Sequence, residues 1–436
     1  MSATYTTPLS PYSVTLESDH PSRWFMASGV TLLTTLLAAP LAFGAVEPWA
    51  WAGLCVLSGV SLVLWAMGCA STGRMQLVLS PMHVVFVLAL TLVAGQLVLG
   101  KTVDPIGTRE ALIKLVGYFT IFFLAGQLSA ELSIRAWRWF GIAIITYVFA
   151  LSLFAIVQFF SNTQLMYWTV KLRWPGCIFG PYINHNHYAG LLEILLPLAI
   201  GALLALPENY AFKPLGAFAV LLALASVLVC GSRGGTIAIV TELAIFAIVI
   251  SRAGGVHRTP ILIAFAVAVF GLTLFTWIVP SSVIERWEKT TEAPEAAAQP
   301  RFLMSADAVQ IFHHYPLAGI GTGAYRVASP KYQSWATELV VDHVHNDYAE
   351  LLAETGAAGG ILLIAFSGLF FVQIFRNLRH CLVGADNWMC ISSSIACCGI
   401  LIHSFTDFNL HIPANAAWFS VAVAGGFSIA GINRHA

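Results

Sequence analysis

The sequence predicts an all-α polytopic membrane protein of about twelve transmembrane helices. Of its 436 residues, 58% are hydrophobic and only 10% are charged, against roughly a quarter charged in an ordinary soluble domain. The apolar residues also gather into runs long enough to cross about 30 Å of hydrocarbon. A chain so poor in charge cannot present a wettable surface, so lipid has to be its solvent. The formal net charge is zero and no basic tract occurs, which argues against nucleic acid as a partner. The eight cysteines fall mostly inside apolar stretches and form neither a disulfide framework nor a CxxC metal pair.

Residues 1–22 are rich in Ser, Thr and Pro, carry Glu17 and Asp19, and lack the basic start of a signal peptide. They read as a disordered cytoplasmic tail. Residues 23–279 hold apolar runs beginning near Trp24, Trp49, Ser80, Glu110, Trp137, His187, Pro214, Gly235 and Pro260, and residues 347–436 hold three more near Thr355, Trp388 and Asn415. An even number of spans returns both termini to one side. Connections on that side contain Arg74, Arg135, Arg138, Lys213 and Arg252 with few acids, so both termini are expected in the cytoplasm. The opposite side carries two long loops, 161–186 and 280–346. In the second, 292–299 is rich in Ala, Pro and Glu and is expected to be flexible, with 280–299 acting as a lid. Arg301 to Phe312 is expected to be an amphipathic helix with Phe302, Ala306, Val309 and Phe312 along its apolar face. Pro316, Gly319, Gly321 and Gly323 then demand tight turns.

Polar side chains concentrate on the outer side. The densest cluster runs from Asp342 to Gly356, where the long loop ends and an apolar helix begins. Asn346 or Asp347 can cap that helix, leaving His345 just outside its mouth. An imidazole there titrates near neutrality, and a helix N-terminus disfavours its protonated form, so it suits a general base. His343 and His345 alternate, and in an extended segment they would point the same way, as two ligands of a metal would. With His185, His187, His313 and His314 in the same compartment, a zinc site and a plain capping role both fit these histidines as well. Cys230 to Gly235 places Arg233 between glycines in a short turn. Its guanidinium fork suits phosphate oxygens and the glycines would let a ligand approach, while snorkelling to lipid headgroups is the bland alternative. Arg301 opens the amphipathic helix of the large loop. Arg173, Trp174, Tyr182, Asn184 and His187 combine rings, amides and an imidazole of the kind that bind sugars, though aromatic belts at membrane interfaces use the same rings. Arg326 in the large loop joins His343 and Asn346 among the expected substrate contacts. Glu193 and Glu242 fall inside helices and must face a partner or a cavity. His403, Asp407 and His411 gather at the last outer turn, where they could line the same cavity. A transporter would also account for twelve helices and buried glutamates, but no inverted repeat is visible.

Three motifs in order carry a resemblance. Gly-Ser-Arg-Gly-Gly around Arg233, Arg301 ahead of His-His-Tyr-Pro-Leu-Ala-Gly-Ile-Gly-Thr-Gly, and His-Val-His-Asn-Asp-Tyr-Ala-Glu-Leu-Leu-Ala-Glu-Thr-Gly around His345 resemble the O-antigen ligase and polymerase superfamily, most strongly over about 184–360. The resemblance implies a bacterial inner-membrane glycosyltransferase of the GT-C type that is inverting, metal-independent and without cofactor, its active site facing the periplasm. Its implied partners are a glycan donor on undecaprenyl pyrophosphate, membrane lipid, and an acceptor hydroxyl on lipid A core or on another glycan. Arg233 and Arg301 would correspond to the family's two functional arginines and His345 to its histidine. His343 is an extra imidazole relative to the minimal pattern.

Overall fold

Proline and short polar residues set most of the helix starts. The computed structural model describes residues 22–75, 77–131, 134–161, 163, 165–171, 177–207, 209–252, 294–336, 340–381 and 388–427. Its helices are α1 (Arg23–Leu41), α2 (Pro48–Thr72), α3 (Pro81–Val98), α4 (Pro105–Glu131), α5 (Ile134–Phe160), α6 (His185–Ala205), α7 (Lys213–Cys230) and α8 (Arg233–Arg252). They continue with α9 (Pro294–His314), α10 (Tyr325–Tyr332), α11 (Asp347–Cys381), α12 (Trp388–His403) and α13 (Pro413–Phe427). Five of them open on proline, whose missing N–H is no loss in a first turn. Asn184 caps α6 by accepting from the Asn186 N–H at 2.9 Å, and the Ser232 hydroxyl accepts from the Gly235 N–H at the start of α8. Between α5 and α6 a two-residue hairpin pairs β1 (Leu165–Met166) with β2 (Val170–Lys171), Leu165 opposite Lys171.

The expected runs near Trp24 through Gly235 are α1 to α8, and those near Thr355, Trp388 and Asn415 are α11 to α13. The run near Pro260 and the tail before Ser22 lie outside the described residues. Among the described residues nine helices are long and apolar enough to cross a membrane, which makes the protein an all-α polytopic membrane protein. At 16 and 15 residues, α12 and α13 are shorter. At the centre stands α6, apolar on every side and buried along nearly all its length, as a helix without a polar face must be. Around it pack α5, α7, α8, α12 and α13.

Two expectations about the large loop need correction. Helix α9 already begins at Pro294, so 294–299 is helical rather than flexible: alanine and glutamate favour helix, and Pro294 stands where proline is harmless. The rest of the supposed lid lies outside the described residues. The buried stripe of α9 is Met304, Ala308 and Ile311, which join Ile320, Tyr325, Val344 and Ala353 in a small core of their own. Phe302 and Val309 are exposed. Both stripes have helical spacing, and the choice falls to the one that meets α11.

That core hangs on a break in α11. Gly356 sits at φ 61°, ψ −157°, a conformation essentially restricted to glycine. A break inside a helix strands backbone groups that need other partners. The segment 316–321 supplies the partners: the Ala357 N–H donates to the Pro316 carbonyl at 2.7 Å, and the Ile320 and Gly321 N–H groups donate to the Ala353 and Glu354 carbonyls at 3.1 and 3.0 Å. The Gln96 side chain of α3 donates to the Ala318 and Glu354 carbonyls, tying the junction to the bundle. Contact is so close that a Cβ on Gly319 would lie 2.1 Å from the Glu354 carbonyl carbon. The turns foreseen at Gly319 and the Gly356 of the histidine motif are thus two sides of one joint. Gly356→Ala should lower stability by about 1–3 kcal/mol, read as thermal unfolding in detergent. Gly126→Ala in α4, where a Cβ meets nothing within 4 Å, should be neutral or slightly stabilising.

Candidate functional site

Side chains from α6, α9 and the segment entering α11 converge on one carboxylate. Asp407, in the turn after α12, has a wholly buried side chain. Its Oδ2 accepts from Asn186 Nδ2 at 2.5 Å and lies 3.9 Å from Arg301 Nη2. Its Oδ1 accepts from the Phe408 N–H at 2.9 Å and lies 3.3 Å from His345 Nδ1, while His187 Nε2 stands at 3.7 Å, beyond hydrogen-bond reach. Burial by itself would raise the pKa of this acid, but the His187 and His345 imidazoles outweigh it and hold the carboxyl well below the usual range. Asp407 is therefore a fixed negative charge between an imidazole and a guanidinium.

Beside it opens a cavity of about 150 Å³, walled by Arg233, Arg301, His185, Asn186, His403, Gly231 and Gly234. Arg233 arrives there because Gly231, at φ 72°, ends α7 in the left-handed conformation and Ser232 immediately caps α8. Arg301 arrives from the first turns of α9, half-buried one turn before Met304. No acid is part of the wall, so two guanidinium groups and a helix N-terminus give the cavity the character of an anion site. The glycines around Arg233 have a second use that the sequence reading did not assign. A Cβ on Gly234 would lie 2.6 Å from the His403 ring, and one on Gly235 would lie 2.5 Å from Ala189 Cβ, so both admit neighbouring helices.

His345 does not line the cavity; the Asp407 carboxylate stands between it and Arg301. Asn346 is the helix cap, accepting from the Tyr348 and Ala349 N–H groups at 3.1 Å. His345 precedes it at φ 56°, a left-handed residue without the freedom of glycine, which costs about 1–2 kcal/mol. That kink also undoes the expected alternation. His343 turns to Glu350, its Nδ1 2.7 Å from Oε1, while His345 turns to Asp407. Both rings pack on Phe408, with centroids at 4.4 and 4.7 Å. Among the described residues, the histidine and carboxylate atoms close enough to hold a cation are those of His343, Glu350 and His411, within 4.8 Å of one another. They are already paired: His411 Nε2 is 3.3 Å from Glu350 Oε1, and its Nδ1 is 2.8 Å from Asp347 Oδ1. His313 and His314 lie on the exposed end of α9, apart from this group.

The remaining expected contacts are dispersed. Tyr182 is buried and donates to Asn415 Oδ1 at 2.8 Å, and Asn184 is spent on capping. Arg326 is exposed and pairs with Asp342 at 3.2 Å, away from the cavity. Arg173 and Trp174 lie outside the described residues. Glu193, expected to face a partner or a cavity, lies 2.6 Å from His403 Nδ1. Both carboxylate oxygens of Glu242 are buried without a hydrogen-bond partner among the described residues. Asp407, His403 and His411 were expected near the same cavity without a chemical task, and His403 does line it. Their signal was the density of ionisable groups in a short apolar turn, the same signal that singled out the stretch after Asp342.

The fold and site define a helical membrane protein with a cationic cavity at one end of its bundle. Residues 218–364, about a third of the chain, match the family described as O-antigen ligase, which supports the resemblance to the O-antigen ligase and polymerase superfamily. The match takes in Arg233, Arg301, His343 and His345 and stops short of Asp407. No curated protein matches the chain.

His411 offers a direct check on the carboxylate network. Desolvation pushes its pKa down, but the Glu350 charge, with the Asp347 hydrogen bond and charge behind it, raises it from 6.5 to about 10. A raised folded-state value means that the stabilisation is complete below about pH 6.5, declines as pH rises and is gone above about pH 10. Melting of the detergent-solubilised protein across that window should show the decline, and His411→Gln should flatten it; an equal slope in the variant excludes the pairing.

Proposed function

We propose that this chain is an inner-membrane glycosyltransferase moving a glycan from undecaprenyl pyrophosphate to an acceptor hydroxyl, as an O-antigen ligase does with lipid A core. The observation that carries this is the meeting of Arg233 and Arg301 on one acid-free cavity wall, one carboxylate away from His345. A glycan on pyrophosphate already has a good leaving group, whose negative charge grows as the anomeric bond breaks. Two fixed guanidinium groups can stabilise that charge without a metal. In this reading the site faces the periplasm and both termini lie in the cytoplasm, as the arginine distribution of the connections favours.

His345 is the proposed base. An acceptor hydroxyl is too weak an acid to ionise beforehand, so its proton is taken as the new bond forms in an in-line, inverting attack. Asp407 supports this by holding Nδ1 in one tautomer, which leaves Nε2 to receive the proton, and by favouring the charged ring once the proton has arrived. The same carboxylate lies against Arg301, so base and leaving-group clamp share one anchor. Asn346 and His343 belong to the acceptor side of this arrangement. A polysaccharide polymerase would use the same donor half and differ only in the acceptor.

Loss of either arginine should slow transfer about a hundredfold, equivalent to about 3 kcal/mol in the barrier. Arg233→Lys should fall nearly as far, because lysine keeps the charge and loses the fork. These are measured as glycan transfer in membranes with protein amounts equalised, and wild-type turnover in His345→Ala would remove that residue from the mechanism. In a deletion strain, full-length chains should accumulate on the carrier lipid; a build-up of single repeat units would point to the polymerase instead. Thorough chelation should leave activity intact.

A further inference from the structure

Two imidazoles line the arginine cavity, those of His185 and His403. His345 reaches Asp407, whereas His403, the last residue of α12, is itself part of the wall with Arg233 and Arg301. Its Nδ1 lies 2.6 Å from Glu193 Oε1 on α6, with side-chain exposures of 1% and 0%. Asn409 Nδ2 lies 3.1 Å from the same nitrogen, but as a donor itself it forms no hydrogen bond with Nδ1–H when that proton points to Glu193. A carboxylate in an apolar helix is costly unless it faces a partner or a cavity, and a histidine that only filled space would need no acid behind it. A contact this short between buried groups is a charge-assisted hydrogen bond. With Nδ1–H committed to Glu193, Nε2 is the nitrogen left for a ligand. The place that a Cβ on Gly234 would take is 2.6 Å from that atom, so Nε2 lies against the turn that carries Arg233.

We propose that His403, held as an imidazolium by Glu193, is a third hydrogen-bond donor to the diphosphate in this cavity, beside Arg233 and Arg301. The inference rests on the diphosphate reading of the cavity. During transfer the bond from the anomeric carbon to the diphosphate oxygen breaks and leaves its electron pair on that oxygen. The acceptor oxygen supplies the pair for the new bond, and its proton passes to His345. His403 keeps both ring protons throughout, donating Nε2–H to the departing oxygen. Glu193 is a positioning residue that acts through the ring. The arrangement accounts for burying an acid and an imidazole together: the pair is neutral as a unit, which limits its burial cost, yet it turns an N–H donor toward an anion.

The test is inorganic pyrophosphate binding to the purified full-length protein in lipid nanodiscs, followed by calorimetry, with thermal unfolding run on every variant. Arg233→Lys and Arg301→Lys report on the cavity itself, and both should weaken binding. His403→Gln and Glu193→Gln should each weaken it about tenfold. Glu193→Gln is the sharper variant, because glutamine still accepts Nδ1–H and holds the ring in place but no longer favours its charge. Wild-type affinity in a folded Glu193→Gln protein overturns the role of His403, whatever His403→Gln does, and leaves the cavity reading standing if the arginine variants are impaired. If the arginine variants also bind as tightly as wild type, the cavity reading and this inference fall together.

Discussion

The site depends on a carboxylate whose side chain is wholly buried. An ion buried as Asp407 is buried costs several kcal/mol unless neighbouring donors and charges replace its hydration, and no single element of the fold provides enough of them. Asn186 and His187 come from α6, Arg301 from α9, His345 from the segment entering α11, and a backbone N–H from the turn itself. Parts of the chain separated by up to 221 positions therefore have to meet before the charge is tolerable. The same requirement sets the chemistry, since the groups that satisfy the acid are the ones that would handle a proton and a phosphate oxygen.

The left-handed conformation of His345 follows from competing anchors. The Glu350 carboxylate grips His343 and the Val344 N–H, Asn346 has to cap α11, and His345 between them must reach Asp407. Strained backbone of this kind persists only where the surroundings over-determine it. Further along α11 the break at Gly356 serves the same end by another route. It lets 316–321 dock edge-on against the helix, which carries α9 and hence Arg301 onto the bundle. The large loop is thus held by backbone hydrogen bonds at a helix break and by the small core of Ile311, Ile320 and Val344, which keeps Arg301 on the same side as Arg233.

Much of this protein could be read from local chemistry alone. The order of the apolar runs and the cap at Asn346 are properties of neighbouring residues, so they survive into the structure. Arg233, Arg301 and His345 stood out for a related reason: charge is expensive in such a chain and is kept where it has a partner. Which partner could not be read. Nothing local distinguishes the face of α9 that carries Phe302 from the one that carries Ile311, or assigns Glu193 to His403 and Asp407 to His345, because burial energy depends on which distant surface arrives. The sequence by itself determined that helices would form, where they would begin and which side chains were too costly to be idle. Only the tertiary structure decided which of those side chains would neutralise one another, since Coulomb attraction in a dry interior is set by separations of a few ångströms between residues far apart along the chain.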